Sequence, residues 1–391
     1  MADKEYERKY KEDRPVLAIC YDFDKTLSPD DMQAQGYIQK VFKGDVQTFW
    51  KESNDFAEAN EMDTNLAYMY KMVDEAQGRI LFTRETLAEY GSKVKLFPGV
   101  EEWFEKIRKF GIENNVIVEH YIISSGLKEM IEGTSIAKAG AFERIYASSF
   151  LFNERGVGIW PAQVINYTNK TQFLFRIEKG VLDVNDSRVN DYFAPEDIRV
   201  PFRNIVYIGD SATDIPCMKL VNAYGGHSIG VYSNDTLDKS KVFKMLGDNR
   251  IKYFAPADYT ENSELDKLVR AIIVRTAANE VLEEKYFSCK KEHADAKACE
   301  ENDNNTQMRM NLIFSLDGSR NFATTHTIMR ELLLIEDWSQ SEIDMLLDIA
   351  LNNHPVRYLL NDIDVKAFYQ KIIGMLDKET EKALQVKNHF E

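Results

Sequence analysis

The chain has few cysteines, no long apolar run and no excess of positive charge. Cys20, Cys217, Cys289 and Cys299 stand far apart with no Cys-x-x-Cys pair, which argues against both a disulfide framework and a cysteine zinc site. No stretch approaches the ~18 uninterrupted apolar residues of a membrane span, and the charged start, Met1 to Arg14, lacks the apolar centre of a secretory leader. A cytoplasmic protein that makes no use of a membrane is therefore expected. Lysine and arginine total 49 against 64 aspartates and glutamates, a formal charge of -15. That balance argues against non-specific attraction to nucleic acid or to anionic lipid.

The apolar content is ample. With 391 residues, 44% of them hydrophobic and 12% aromatic, the chain can bury more than one core, and two or three compact units are expected. Val16 to Tyr21 is an unbroken apolar run that reads as a buried strand, and Cys20 within it is a small apolar filler. Ser28 to Lys95 carries Tyr37, Val41, Phe49, Phe56, Leu66, Tyr70 and Val73 at helical spacing, a helical insertion that closes at Leu96-Phe97-Pro98-Gly99. A helix through Trp103, Phe104, Ile107 and Phe110 follows. Val116 to Ile123 is a second strand, in which Glu119 and His120 are polar interruptions without an assigned role.

That strand ends in Ser124-Ser125-Gly126 and leads into a helix near Leu127. Arg144 to Ala147 reads as a third strand, and Ser149–Phe152 with Val157–Trp160 flank Asn153-Glu154-Arg155-Gly156 as a hairpin. Lys170 heads a helix over Thr171 to Glu178. Asn204 to Ile208 is a further strand, followed by Gly209-Asp210-Ser211-Ala212-Thr213-Asp214, short strands at Ser228–Tyr232 and Ile251–Phe254, and a helix from about Glu264 to Glu283. Strands alternating with helices imply an α/β class with a parallel sheet. From Lys285 to Gln307 the composition turns charged and polar, and Glu300 to Asn305 in particular reads as an exposed linker. Helical patterning resumes from Met308, with Ser339-x-x-Glu342 as a capping box.

The chemistry lies at strand ends, since loops at the carboxyl ends of parallel strands converge on one crevice. Asp22, at the end of the first strand, is suited to act as a carboxylate nucleophile that forms an aspartyl-phosphate. Asp24, two residues on, can protonate the leaving oxygen and then activate water. Several carboxylates and a phosphoryl group in one pocket need a hard cation, most simply Mg2+. Its expected ligands are Asp22, the main-chain carbonyl of Asp24, and Asp210, with Asp214 as a further ligand or an orienting group. Lys170 is expected to neutralise the phosphoryl oxygens and hold Asp22 ionised. Thr26, Ser124, Ser125 and Gly126 complete the phosphate-binding set, with Ser124 preferred and a shift to Ser125 left open.

These residues, in this order, resemble the haloacid dehalogenase-like superfamily, in particular its phosphoserine-phosphatase-like phosphatases. Asp22-Phe23-Asp24-Lys25-Thr26 is similar to the first family motif, Ser124 in Ile-Ile-Ser-Ser-Gly to the second, Lys170 to the third and Gly209 to Asp214 to the fourth. The resemblance runs from about residue 15 to 280. It implies a Rossmann-like core (1–29 and 96–284), a helical cap over 30–95 and Mg2+-dependent hydrolysis of a small phosphorylated metabolite. Asp24 separates phosphatases from dehalogenases, and Leu27-Ser28, where transport ATPases continue with Gly-Thr, disfavours an ion pump. The helical extension over 285–391 lies outside the resemblance; a homo-oligomer or protein contact through it is a further expectation. A phosphotransferase or mutase on the same fold, and a regulatory binding protein, are the alternative readings.

Overall fold

The computed structural model describes residues 6–236, 238–300 and 306–390. It divides into two compact units: the chain up to Asp186 with Arg199–Glu280, and Ser187–Ile198 with the chain from Val281 onward.

The first unit is built on a seven-stranded sheet. In chain order the strands are β1 Val16–Tyr21, β2 Ile117–Leu127, β3 Arg144–Phe152, β4 Gly158–Gln163, β5 Ile205–Gly209, β6 His227–Tyr232 and β7 Tyr253–Pro256. Their order across the sheet is β4-β3-β2-β1-β5-β6-β7, with every pairing parallel except β3 with β4. β1 is central, and all six of its residues are buried. A strand covered on both faces needs no polar alternation, which is why its sequence is continuously apolar. Its side chains still alternate. Leu17, Ile19 and Tyr21 enter one apolar cluster with Trp103 and Phe104, and Val16, Ala18 and Cys20 enter another with Phe173 and Val221.

Two strands run differently from the sequence reading. β2 extends to Leu127 rather than stopping at Ile123, so Ser124, Ser125 and Gly126 sit within it; its pairing with β3 slips between Ile123 and Leu127, which opens the ladder there. The third strand and the first arm of the hairpin are one strand, β3, paired antiparallel with β4. The 32–91 stretch is helical, with Val46–Ala59 and Thr64–Ala76 capped by the Asp45 and Asp63 side chains. Within it Tyr37, Phe49, Tyr68, Met69 and Met72 are buried.

The helix expected to end near Glu283 extends further. The helix that begins at Glu264 runs through to Glu300, because the stretch is rich in Ala, Glu and Lys, strong helix formers whose polarity does not oppose an exposed helix. Glu301–Asn305 lie outside the described residues. The second unit is helical and has its own core, including Ile313, Leu332, Leu346, Phe368 and Tyr369. The Ser339 hydroxyl and Glu342 carboxylate cap the helix Gln340–Asn352 reciprocally, and Glu342 also accepts from Arg309 Nε at 2.8 Å. Among the described residues no helix is long and apolar enough to cross a membrane.

Candidate active site

Asp22 follows β1, Asp210 follows β5, and Ser124 sits within β2, where its pairing with β3 slips; the three strands are parallel neighbours. The Asp22 amide donates to the Ile208 carbonyl at 3.0 Å, so the register of β1 against β5 brings Asp22 and Asp210 to the same edge. Asp22, Asp210 and Asp214 each offer an oxygen within 4.8 Å of the others, and all three are buried. Lys170 is completely buried, with Nζ 2.8 Å from Asp214 Oδ1 and 3.2 Å from Asp22 Oδ1.

Asp214 is held from both sides. Its Oδ1 accepts from Lys170 and from the Tyr207 hydroxyl at 2.9 Å, and its Oδ2 accepts from the Ser211 amide at 3.3 Å and hydroxyl at 3.2 Å. Both of its oxygens are therefore engaged by the protein, whereas Asp22 and Asp210 line the open cavity. Gly209 permits this packing: a Cβ there would lie 2.5 Å from Asp214 Oδ2.

The cavity, about 260 Å³, is lined by Asp22, Asp24, Ser124, Ser125, Gly126 and Asp210 of the expected set. Lys170 and Asp214 lie behind Asp22 and do not line it. Thr26 does not line it either; its hydroxyl is buried without a partner, and its carbonyl accepts from Tyr259 at 2.8 Å. The two serines occupy different positions. Ser124 is 1% exposed and its hydroxyl favours the ionised form of Asp22. The Ser125 hydroxyl is buried without a partner at the cavity wall, while its carbonyl accepts from Tyr68 at 2.7 Å. Gly126 faces Asp24: a Cβ there would stand 3.0 Å from Asp24 Oδ2.

Burial dominates the electrostatics. It raises Asp22 to about 6 against the pull of Lys170, and raises Asp210 to about 7, with the charges of Asp214 and Asp22 adding to the shift. It raises Asp24 well above the ordinary aspartate value, reinforced by the charges of Asp31 and Asp22, which favours the protonated form. Burial opposes the charge on Lys170, but Asp214 and Asp22 outweigh it and hold the ammonium protonated. Asp22, Asp210 and Asp214 crowd three carboxyl groups around the buried Lys170, with Lys241 3.9 Å from Asp210 on the cavity side. The donors are all oxygen, which suits a hard divalent cation.

Some lining groups carried no signal in the sequence. Thr64 and Asn65, at the start of the helix Thr64–Ala76, and Tyr167, Thr213 and Lys241 also face the cavity. Asp63 ahead of that helix is a readable cap signal, but it gives no direction in space. Trp50 packs on Tyr68, Arg79 bonds the Val41 carbonyl and Arg84 pairs with Glu132.

The chain was compared with known proteins. An uncharacterized protein from Borreliella burgdorferi is 26% identical over 280 residues, covering 64% of this chain and 94% of the relative. Among solved structures, a haloacid dehalogenase family hydrolase from Salmonella enterica serovar Typhi is 17% identical with a TM-score of 0.44, covering 67% of this chain and 73% of that one. A phosphoserine phosphatase in its apo form is 14% identical with a TM-score of 0.41, covering 65% and 98%. The family model of haloacid dehalogenase-like hydrolases matches residues 19–219, more than half of the chain and the span from β1 through Asp22, Ser124, Lys170 and Asp210. The chain belongs to the haloacid dehalogenase-like hydrolases.

Proposed function

We propose that this protein is a Mg2+-dependent phosphomonoester hydrolase that works through an aspartyl-phosphate on Asp22. The observation that carries the reading is the meeting of Asp22, Ser124 and Asp210, from adjacent strands, at one cavity, with Lys170 buried against Asp22. In the first step an Asp22 oxygen attacks phosphorus. The ester oxygen leaves and takes a proton from Asp24, whose buried surroundings favour the protonated form. In the second step Asp24, now a carboxylate, removes a proton from water, which attacks the same phosphorus and returns Asp22. Lys170, buried against Asp22, supplies positive charge beside the phosphoryl group, and the Ser124 hydroxyl at the cavity wall binds its oxygens. Asp22, Asp210 and the main-chain carbonyl of Asp24 would hold Mg2+, which supplies positive charge between the carboxylates and the phosphoryl group. Asp214, engaged on both oxygens, orients Lys170.

The cavity supports a small substrate. At about 260 Å³ it falls below the roughly 300–1,000 Å³ of pockets for drug-sized ligands, and its lining beyond the phosphate end includes Lys25, Asp31, Thr64, Asn65, Tyr167 and Lys241. A short polar phosphorylated metabolite in the cytoplasm fits this better than an apolar one. We assign the insertion over 30–95 as the cap that chooses it, because Thr64 and Asn65 come from that insertion. The exposed Leu334, Tyr358 and Ile363 of the second unit support a contact with another chain there. The test of the function is Asp22→Asn with p-nitrophenyl phosphate. Release of phosphate should be abolished while the circular dichroism spectrum is kept, and full activity in the folded variant would overturn the reading.

A further inference from the structure

Lys25 stands between the proposed nucleophile and the acid/base on one side and Thr26 on the other, with φ at 57°. A side chain in that left-handed region costs about 1–2 kcal/mol, and only glycine, asparagine and aspartate adopt it readily, so something must hold the turn. The chain after β1 closes tightly: the Leu27 and Ser28 amides both donate to the Phe23 carbonyl, at 2.9 and 3.2 Å. In this conformation the Lys25 ammonium reaches back across the turn to Asp31 and donates to both of its oxygens at 2.9 Å.

Asp31 is the residue before the short 3-10 turn Met32–Ala34, whose Ala34 amide donates to the Asp31 carbonyl at 3.0 Å. The next residue makes the contact that matters. The Met32 amide donates to Asp24 Oδ1 at 2.8 Å, while Oδ2 of the same carboxyl group faces Gly126 at the cavity wall. One oxygen of Asp24 is thus pinned by backbone, and the other is left toward the place where a leaving oxygen would sit.

We propose that the Lys25–Asp31 ion pair is a positioning device for Asp24: it clamps the turn that carries the Met32 amide and so fixes which Asp24 oxygen is presented to the substrate. The inference rests on the phosphatase reading above and extends it to Lys25 and Asp31, which line the same cavity as Asp22, Asp24 and Asp210. The pair joins the strand-end motif to the first residues of the helical insertion. Any movement of that entry segment is therefore felt at Asp24 through one ion pair and one backbone hydrogen bond. Surface ion pairs contribute little stability, about 0–1 kcal/mol, and with Lys25 44% and Asp31 29% exposed in their side chains this one is not needed as a fold-holding contact.

The device predicts a change that depends on the leaving group. Asp24 must deliver a proton to a poor leaving group such as an alkoxide, and hardly at all to p-nitrophenolate. Asp31→Asn and Lys25→Met should each lower the ratio of kcat on glycerol 3-phosphate to the first-turnover rate of nitrophenol release by about tenfold, a fraction of the roughly 10²–10⁴ that general acid catalysis supplies. With p-nitrophenyl phosphate, release of nitrophenol should then show a burst, because the second step still needs Asp24 as base. The double variant should lose no more than either single one, as expected for two residues that act as a unit. Equal slowing of glycerol 3-phosphate turnover and of first-turnover nitrophenol release, a change confined to KM, or additive losses would overturn the proposal. Thermal melts of both variants separate it from misfolding, since loss in only one variant with an unfolded chain leaves the other to decide. Failure of the unaltered protein to hydrolyse either substrate would instead strike the phosphatase reading itself.

Discussion

The Lys170 ammonium lies 3.2 Å from the Asp22 carboxylate with none of its own side chain exposed. A buried lysine is kept charged only by what surrounds it, and here Asp22 and Asp214 do so together. Lys170→Met should therefore lower kcat/KM on p-nitrophenyl phosphate by about 100-fold or more, the scale seen when one preorganised group at a developing negative charge is removed. Steady-state kinetics on the folded variant measures this. A loss below threefold would remove Lys170 from the phosphoryl site.

Proton and cation should compete at the carboxylates. Asp22 stands at about 6 and Asp210 at about 7, both raised, so without a cation each gains a proton as pH falls through these values. Ligand carboxylates must be ionised to bind metal, and binding releases the proton. The Mg2+ concentration for half-activation should thus rise as pH is lowered from 8 to 6, and the acid limb of kcat/KM should move to lower pH as Mg2+ is increased. Activation curves that superimpose across this range would contradict the assignment of these carboxylates as ligands.

Gly209 should not tolerate a side chain. Its Cβ would meet the carboxylate of Asp214, which Lys170, Tyr207 and Ser211 hold in place. Gly209→Ala is expected to weaken Mg2+ activation and to reduce kcat by about tenfold or more, because a displacement near 1 Å at a reacting centre costs on the order of 10²-fold. Titration of activity against Mg2+ tests it.

Two buried groups of β2, Glu119 and His120, should each contribute a loss of stability in acid. Glu119, on the central sheet, accepts from Arg199 Nη1 and Nη2 at 2.8 Å each, from Lys9 at 2.8 Å and from the Tyr121 hydroxyl at 2.6 Å. Burial opposes its charge, yet these partners outweigh it and hold it at about 2. Its folded value lies below the unfolded one, so its stabilisation is full above about 4.5 and is lost as pH falls toward 2. His120 is lowered to about 3, foremost by burial, and pairs through Nδ1 with the Tyr21 hydroxyl at 3.0 Å. The unfolded chain takes up a proton there below about 6.5 while the folded chain does not, so destabilisation begins at that higher pH. Glu119→Gln should cost about 3 kcal/mol in urea denaturation at pH 7, the lower end for breaking a buried ion pair from one side. No loss would mean that Arg199 finds another partner.

Much of the site was readable because its residues punctuate apolar runs. Asp22, Asp24, Ser124 and Asp210 each follow or interrupt a strand that is buried on both faces, and a polar residue there stands out. Glu119 and His120 stood out equally within β2 but had no legible role, since their partners Arg199, Lys9 and Tyr21 lie 80 or more positions away in the chain. Tyr207 was hidden for the opposite reason: on apolar β5 it reads as core, although its hydroxyl fixes Asp214. The helix from Glu264 continues past the expected end near Glu283 to Glu300, because no glycine or proline interrupts the charged stretch. The cavity lining from Thr64, Tyr167 and Lys241 depends on how the insertion and the loops after β4 and β6 fold over the strand ends, which no local pattern encodes.

The covalent step is the centre of the account. The protein should be mixed with Mg2+ and 32P-labelled p-nitrophenyl phosphate, quenched in acid during turnover and digested at low pH, so that an acyl phosphate survives for mapping by mass spectrometry. The label is expected on the peptide carrying Asp22, lost on treatment with hydroxylamine, and absent from Asp22→Asn. Turnover without any acid-stable label, or a label on another residue, would contradict the assignment of Asp22 as the nucleophile.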